Sequence, residues 1–476
     1  MNNILLKSYL KCKRKAWLDY KGDKRFKSWS AQNSIQLVDQ YKNFKRLAKG
    51  NLFGGLKACE KGYKGVIGIK IKNNLKEGLN IEVFPPLLIK TKGQSKWGKY
   101  KYIPVVSKLG KKATREHFFD LALCSIVLEN FAGVKIDSGL VISNFNNIFN
   151  IEKIWLNKNL KKKTINVFLE MVQSLKDNIP NITEDRKKCS ICPWQTYCDK
   201  EAKSKGYLTD IDGIGKKTAT ILKNIGISDF KQLALSNKLD LDKKLAAYKE
   251  KNLERTSKFI DQSKSYSTGI PIRIRNNKNL SKIIFREKPG CYVFDIESNP
   301  DNKHDFLYGF LTIKNNNHGG YHNHYEPILN LKNDQNSTYI ENIFKKLSSE
   351  NEWPVIHYGD TEKIAIIKLA EKLSLNSFEI NNLKSRFIDL HLLVRDNWIL
   401  PVKNYSLKTV ANWTGFKWKY KNVSGSKALF WWIQYNETKN QSFLRKIIEY
   451  NRDDCQATLN IANWLIKNHK NIEPID

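Results

Sequence analysis

The chain has 476 residues, enough for two or three domains, and its 41% apolar content supports ordinary packed cores. Basic residues outnumber acidic ones 82 to 47, and the formal net charge of +35 is spread along the whole sequence, which points to a polyanionic partner or, on composition alone, to Lys and Asn codon bias. No apolar run approaches the roughly 18 residues that span a bilayer, and Lys7, Lys11 and Lys13 interrupt any signal-peptide core, so the expectation is a cytoplasmic protein with no membrane span.

Residues 1–205 mix helical stretches with short strands and form the first expected domain. Eight cysteines in so long a chain do not make a disulfide framework, but three of them cluster. Cys189-x-x-Cys192 and Cys198 place three thiolates within ten residues. Cys12, which precedes the basic and aromatic stretch Lys13 to Trp17, is the candidate fourth ligand and would staple the two ends of the domain together. Four thiolates suit one metal centre, either a zinc ion or an iron-sulfur cluster. Cys59, Cys124, Cys291 and Cys455 lie in apolar contexts and read as buried small hydrophobes.

The layout of one N-terminal Cys and a Cys-x2-Cys-x5-Cys after the core resembles the iron-sulfur RecB-like nucleases. That resemblance implies a PD-(D/E)XK fold and a 4Fe-4S cluster on Cys12, Cys189, Cys192 and Cys198, with zinc as the alternative. Enzymes of this kind cut with an Asp on one strand and an Asp/Glu-x-Lys on the next. Here the matching segments are Phe84 to Lys90, where Pro85-Pro86 replace the Ala-Asp, and Tyr102 to Lys108, where Val106 occupies the acid position. Glu82 is no substitute, since four residues along a strand span roughly 13 Å. A valine offers no ligand atom, so this domain is expected to be a degenerate, inactive nuclease fold. Lys108, Lys111, Lys112 and Arg115 are its expected nucleic-acid contacts.

Residues 206–265 read as short helices separated by Gly-containing turns. Leu208 to Ala219 contains Gly213-Ile214-Gly215-Lys216-Lys217, a turn into a helix whose glycines admit a phosphate to free backbone N–H groups, although such turns also join helices without any ligand. The segment resembles a helix-hairpin-helix motif, which implies that Gly213, Gly215, Lys216 and Lys217 grip a backbone without reading bases. Residues 266–287, with Thr268-Gly269-Ile270-Pro271 and a basic, Asn-rich run to Asn279, read as a connector.

Residues 288–476 have an α/β order. Strands are expected at Cys291 to Ile296, Phe306 to Ile313 and Gly320 to Ile328, then a helix from Thr338, a strand at Pro354 to Tyr358, a helix from Thr361 and another from Phe443 to Leu465. Side chains alternate along a strand, so Asp295 and Glu297 share a face. Tyr450 and Asp454, four apart on a helix, share one too. Phosphodiester hydrolysis by two divalent cations needs such converging carboxylates, because hard cations prefer their oxygens. Glu362 is the leading candidate for a fourth acid, with Asp360 its competitor and His357 beside them. Asp389 is a further acid, equally placed to cap a helix. The plain alternative is a solvated strand edge and a chance helical pattern.

Asp295-x-Glu297 and Tyr450-x-x-x-Asp454 together resemble the tyrosine subtype of the DEDD exonucleases, within the ribonuclease H-like superfamily. The resemblance implies a mixed sheet, two Mg2+ or Mn2+ ions among Asp295, Glu297, Glu362 and Asp454, and a water oriented by Tyr450. It implies a 3'-5' exonuclease acting on single strands or frayed ends of DNA or RNA. The second motif departs from the family, with His357, Tyr358 and Glu362 standing where it has Asn and an aromatic-Asp pair. Read whole, the chain resembles nucleases in which a RecB-like domain, a helix-hairpin-helix and a ribonuclease H-like domain follow one another. The competing expectation is a non-catalytic nucleic-acid-binding scaffold in which both nuclease folds have decayed.

Overall fold

The computed structural model describes residues 1–75, 79–110, 112–145, 148–248, 256–274, 280–299, 304–315, 321–331, 338–421 and 423–469. The chain divides into two compact units, residues 1–183 with 187–200, and residues 184–186 with 201–476.

A six-stranded sheet organises the first unit, in the order Phe53–Gly54, Gly65–Ile67, Leu87–Ser95, Gly98–Lys108, Ser138–Phe145, Ile148–Trp155. Gly98–Lys108 runs antiparallel to Leu87–Ser95 but parallel to Ser138–Phe145. Parallel neighbours need a crossover, and the helix Arg115–Ala132 lies in that connection. Its length is set at one end by a Thr114–His117 capping box and at the other by Gly133, whose φ of 65° closes the last turn in the left-handed region. Phe119, Leu123, Val127 and Leu128 of this helix share a core with Leu87, Ile89, Tyr102 and Val105 of the sheet. The N-terminal helix Asn3–Lys11 is tied to it by buried polar contacts. Asn3 Nδ2 donates to Asp120 at 2.7 Å, and Lys7 Nζ lies 2.9 Å from the other carboxylate oxygen.

The second unit holds a five-stranded mixed sheet in the order Tyr321–Leu329, His304–Asn315, Gly290–Asn299, Val355–His357, Phe387–Asp389. The first three are antiparallel, and the last two run parallel to the central Gly290–Asn299. Burial on both faces explains the bulky apolar run that opens this central strand. Tyr292 and Phe294 pack with Ile343 and Leu347 of the helix Thr338–Ser349 and with Ile366 of the helix Thr361–Lys372. Cys291 and Val293 pack on the other face with Cys455, Ala457 and Ile461 of the long helix Gln441–His469. Asp295 and Glu297 continue that second register, beneath the long helix.

The helix comes down on the sheet where one residue has no side chain. Gly309 pairs opposite Asp295, and a Cβ on it would sit 1.7 Å from Asn451 Oδ1 and 2.8 Å from the Tyr325 hydroxyl.

The described residues between 201 and 268 form short helices, Lys216–Asn224, Phe230–Ala234, Lys238–Leu245 and Thr256–Thr268, around Leu208, Ile214, Leu222, Phe230, Leu241 and Phe259. This bundle docks within the second unit. Gln262 Nε2 donates to the Leu400 carbonyl at 2.7 Å, and Arg395 lies 3.2 Å from Asp212. The stretch 266–287 is packed where it is described: Ile272–Arg273 pairs with Trp398–Ile399, and the helix Leu280–Phe285 lies on Gln441–His469. Among the described residues no helix is long and apolar enough to cross a membrane.

Gly309→Ala forces the helix and strand apart. Overpacking of this kind costs about 1–3 kcal/mol. Thermal unfolding should show a clear fall in Tm, and an unchanged Tm would contradict the close approach.

Candidate metal and active site

Two residues of the central strand and one from the middle of the long helix meet at the end of the sheet. One carboxylate oxygen from each of Asp295, Glu297 and Asp454 lies within 4.8 Å of the other two. Glu297 and Asp454 are buried, while Asp295 is partly open to solvent. Helical geometry supplies their partners. Asn451 Nδ2 donates to Asp295 at 2.7 Å, and its Oδ1 accepts from the Tyr325 hydroxyl at 2.8 Å. The same Asn side chain bonds to Glu297. Trp418 Nε1 donates to Asp454 Oδ1 at 2.6 Å, and the buried Tyr450 also bonds to that carboxylate. Lys408, on the helix Leu407–Trp413, closes the site, its Nζ 4.7 Å from the Tyr450 ring centre and 5.7 Å from that of Trp418. Lys408 also donates to the Val423 carbonyl.

Three ionised carboxylates this close repel each other by about 3 kcal/mol per pair, taking an effective dielectric near ~20. Burial also strips water from them. Burial, then the charges of Asp454, Glu297 and Glu362, push Asp295 well above the usual carboxylate range. Burial and the Asp454 charge do the same to Glu297. Burial raises Asp454 to about 6, against the opposing pull of Lys408, Trp418 and Tyr450. Burial lowers the Lys408 ammonium, while the three carboxylates favour its charge. One lysine does not balance three acids, so the arrangement suits a divalent cation.

Glu362 is buried at the start of its helix, and its charge is felt by both Asp295 and Glu297. Among the described residues its Oε2 has no hydrogen-bond partner, and nor has Nε2 of the buried His357. His357 Nδ1 lies 2.6 Å from the Gly359 carbonyl and 3.8 Å from Glu362. Asp360 is exposed at the N-cap position of the same helix. Asp389 spends its carboxylate locally, accepting from the His391 amide at 2.8 Å and the Gly359 amide at 2.9 Å, the capping role. Lys408, Asn451, Trp418 and Tyr325 are the residues that sequence patterns did not single out.

In the first unit the thiols of Cys189 and Cys198 both lie close enough to act on that of Cys192. Cys12 ends one helix and begins the next, Lys13–Lys21. The cysteine segment lies against this second helix and the turn after it. Trp194 Nε1 donates to Asp19 at 2.9 Å, the Ser28 amide donates to the Pro193 carbonyl at 2.8 Å, and Lys15 acts on Cys192. Cys12, Cys189, Cys192 and Cys198 are partly exposed, whereas Cys59, Cys124, Cys291 and Cys455 are buried.

Of the other expected contacts, Val106 is buried, and Lys108 is buried with its Nζ 3.9 Å from Glu152. That placement withholds Lys108 from the surface, while Lys112 and Arg115 are exposed. Lys111 lies outside the described residues. Gly213, Gly215, Lys216 and Lys217 are exposed, with Gly213 at φ 85° and Gly215 at the N-cap of Lys216–Asn224.

Metal and pH act on the site in opposite senses. Raised carboxylate pKa values mean that the metal-free folded protein holds protons the unfolded chain has released. Their stabilisation is therefore present at low pH and lost as pH rises from about 4 through about 6. In chelator, the Tm of the wild type relative to Asp454→Asn should fall across that window, and Mn2+ should reverse the fall. A difference that stays flat, with or without Mn2+, would contradict the electrostatic account.

A family model described as the RNase H superfamily matches residues 292–466. No curated protein matches the chain. The matched segment runs from the central strand into the long helix and includes the Asp295, Glu297 and Asp454 cluster, and it supports an RNase H-like domain in the second unit.

Proposed function

We propose that this protein is a divalent-metal-dependent nuclease, a 3'-5' exonuclease whose RNase H-like domain carries out the reaction. The observation that carries the reading is the convergence of Asp295, Glu297 and Asp454 within 4.8 Å beneath the long helix. The buried oxygen of Glu362, which has no hydrogen-bond partner among the described residues, supports it as the fourth acid, ahead of the exposed Asp360. Asp295, Glu297, Glu362 and Asp454 would hold two Mg2+ or Mn2+ ions. Such ions supply an activated water and relieve the charge on the leaving oxygen. Around them Asn451 fixes the strand carboxylates, Trp418 and Tyr450 fix Asp454, and Tyr450 orients the attacking water. Lys408 places a positive charge where the scissile phosphate enters.

In this reading residues 1–205 are a degenerate RecB-like domain that binds nucleic acid without cutting it. The apolar Val106 at the second acid position supports that role. Cys12, Cys189, Cys192 and Cys198 hold a structural 4Fe-4S cluster, a reading supported by the packing of the cysteine segment against the helix that Cys12 begins. Residues 206–265 form a helix-hairpin-helix domain, which 266–287 joins to the nuclease domain at 288–476.

End-labelled single strands incubated with Mn2+ or Mg2+ test the activity. Shortening from the 3' end is expected, with kcat reduced roughly 10³-fold or more in Asp295→Ala, the scale of losing a key electrostatic group. Glu362→Gln should impair turnover while Asp360→Asn does not. Unchanged activity in Asp295→Ala would remove the proposed site, and tight binding without turnover in the wild type would favour the scaffold. Anaerobically purified protein should contain iron and acid-labile sulfide that Cys192→Ser loses, and stoichiometric zinc would replace the cluster assignment.

A further inference from the structure

Residues 417–421 read Lys-Trp-Lys-Tyr-Lys, and the alternation gives this irregular segment two faces. Lys417, Lys419 and Lys421 are exposed, while Trp418 and Tyr420 are partly buried. Its inner face is sutured to the long helix. Trp418 bonds to Asp454 at 2.6 Å, the Lys419 amide donates to Asp453 at 2.8 Å, and the Tyr420 hydroxyl donates to Glu449. Edge-on aromatic contacts add to these bonds, Trp418 with Phe416 at 4.9 Å and Tyr420 with Trp431 at 5.5 Å. A segment without regular structure is thereby held rigid, and one of its anchors is a carboxylate of the candidate site.

The outer face is poorly neutralised. Among the described residues neither Lys417 nor Lys421 has an acidic partner within 4 Å. Lys419 pairs with Glu449 at 2.6 Å, but it is 53% exposed, and an exposed pair of this kind holds its cation weakly. Its side chains are all lysines, compact point charges that lack the planar donor pattern needed to read base edges.

We propose that Lys417, Lys419 and Lys421 form a rail for the sugar-phosphate backbone of the strand whose end occupies the carboxylate site. The inference rests on the nuclease reading. The rail recognises phosphate, gives no sequence preference, and makes binding steeply salt-dependent. Trp418 couples it to Asp454, so a strand on the rail lies beside the metal-binding carboxylates.

Each phosphate neutralised on a single strand contributes about −0.7 to the slope of log affinity against log salt. Anisotropy of a fluorescein-labelled single-stranded oligonucleotide, titrated with the full chain in chelator at several salt concentrations, reads this slope. In the double variant Lys417→Ala/Lys421→Ala the slope should shrink by about 1.4 and Kd should rise about tenfold. The control is Lys372→Ala/Lys384→Ala, which removes equal charge from exposed positions on other helices of the unit. An unchanged slope in the rail variant, or an equal loss in the control, overturns the rail. The two readings separate in a parallel Mn2+ cleavage assay. Wild-type cleavage with an unaltered slope in the rail variant sinks the rail alone, whereas a lost slope with no wild-type cleavage sinks the nuclease reading alone.

Discussion

Like charge confined in a buried place is the constraint around which the second unit is arranged. Asp295 and Glu297 leave the central strand on the face covered by the long helix, and Asp454 descends from that helix to meet them. Four neighbours of the trio hold the acids in place or temper their repulsion. Asn451 bridges to the strand, Trp418 and Tyr450 hold Asp454, and Lys408 contributes the nearest opposing charge. The folded state keeps an arrangement that is electrostatically unfavourable by itself, which is the usual mark of a site built for a cation or a reaction.

Backbone architecture makes that arrangement possible. Bulky residues on both faces of Gly290–Asn299 bury the strand between two helical layers, so its polar end is fixed in position. Gly309 opposite Asp295 lets the Asn451 side chain reach the strand, and a side chain there would occupy its space. The segment 416–421 covers the site from outside through bonds to Glu449, Asp453 and Asp454, a stretch of acids over about one and a half helical turns that points both toward the carboxylate cluster and toward the covering segment.

Much of this was legible in the sequence because it depends on local periodicity. The two-residue alternation of Asp295 and Glu297 and the four-residue spacing of Tyr450 and Asp454 each define a face, and the element order supplies the α/β class. What was not legible depends on distant pairing. Lys408 and Trp418 lie in segments with no motif of their own, and only the folded chain brings them to Asp454. Asn451 had a faint signal, an amide in the buried stretch of an amphipathic helix, matched by a lone Gly309 in a strand of large residues. Glu362 leads Asp360 in the sequence as the candidate fourth acid, and burial separates them further. Asp389 turned out to cap the next helix, the choice that residue type alone left open.

Crystals of the protein grown with Mn2+ give the most direct examination of the central claim, since anomalous scattering locates the ions independently of any activity. The account predicts two peaks about 4 Å apart between Asp295, Glu297 and Asp454, with Glu362 reaching one of them. Ions bound elsewhere, or Asp295 and Asp454 turned away from a common centre, would contradict it.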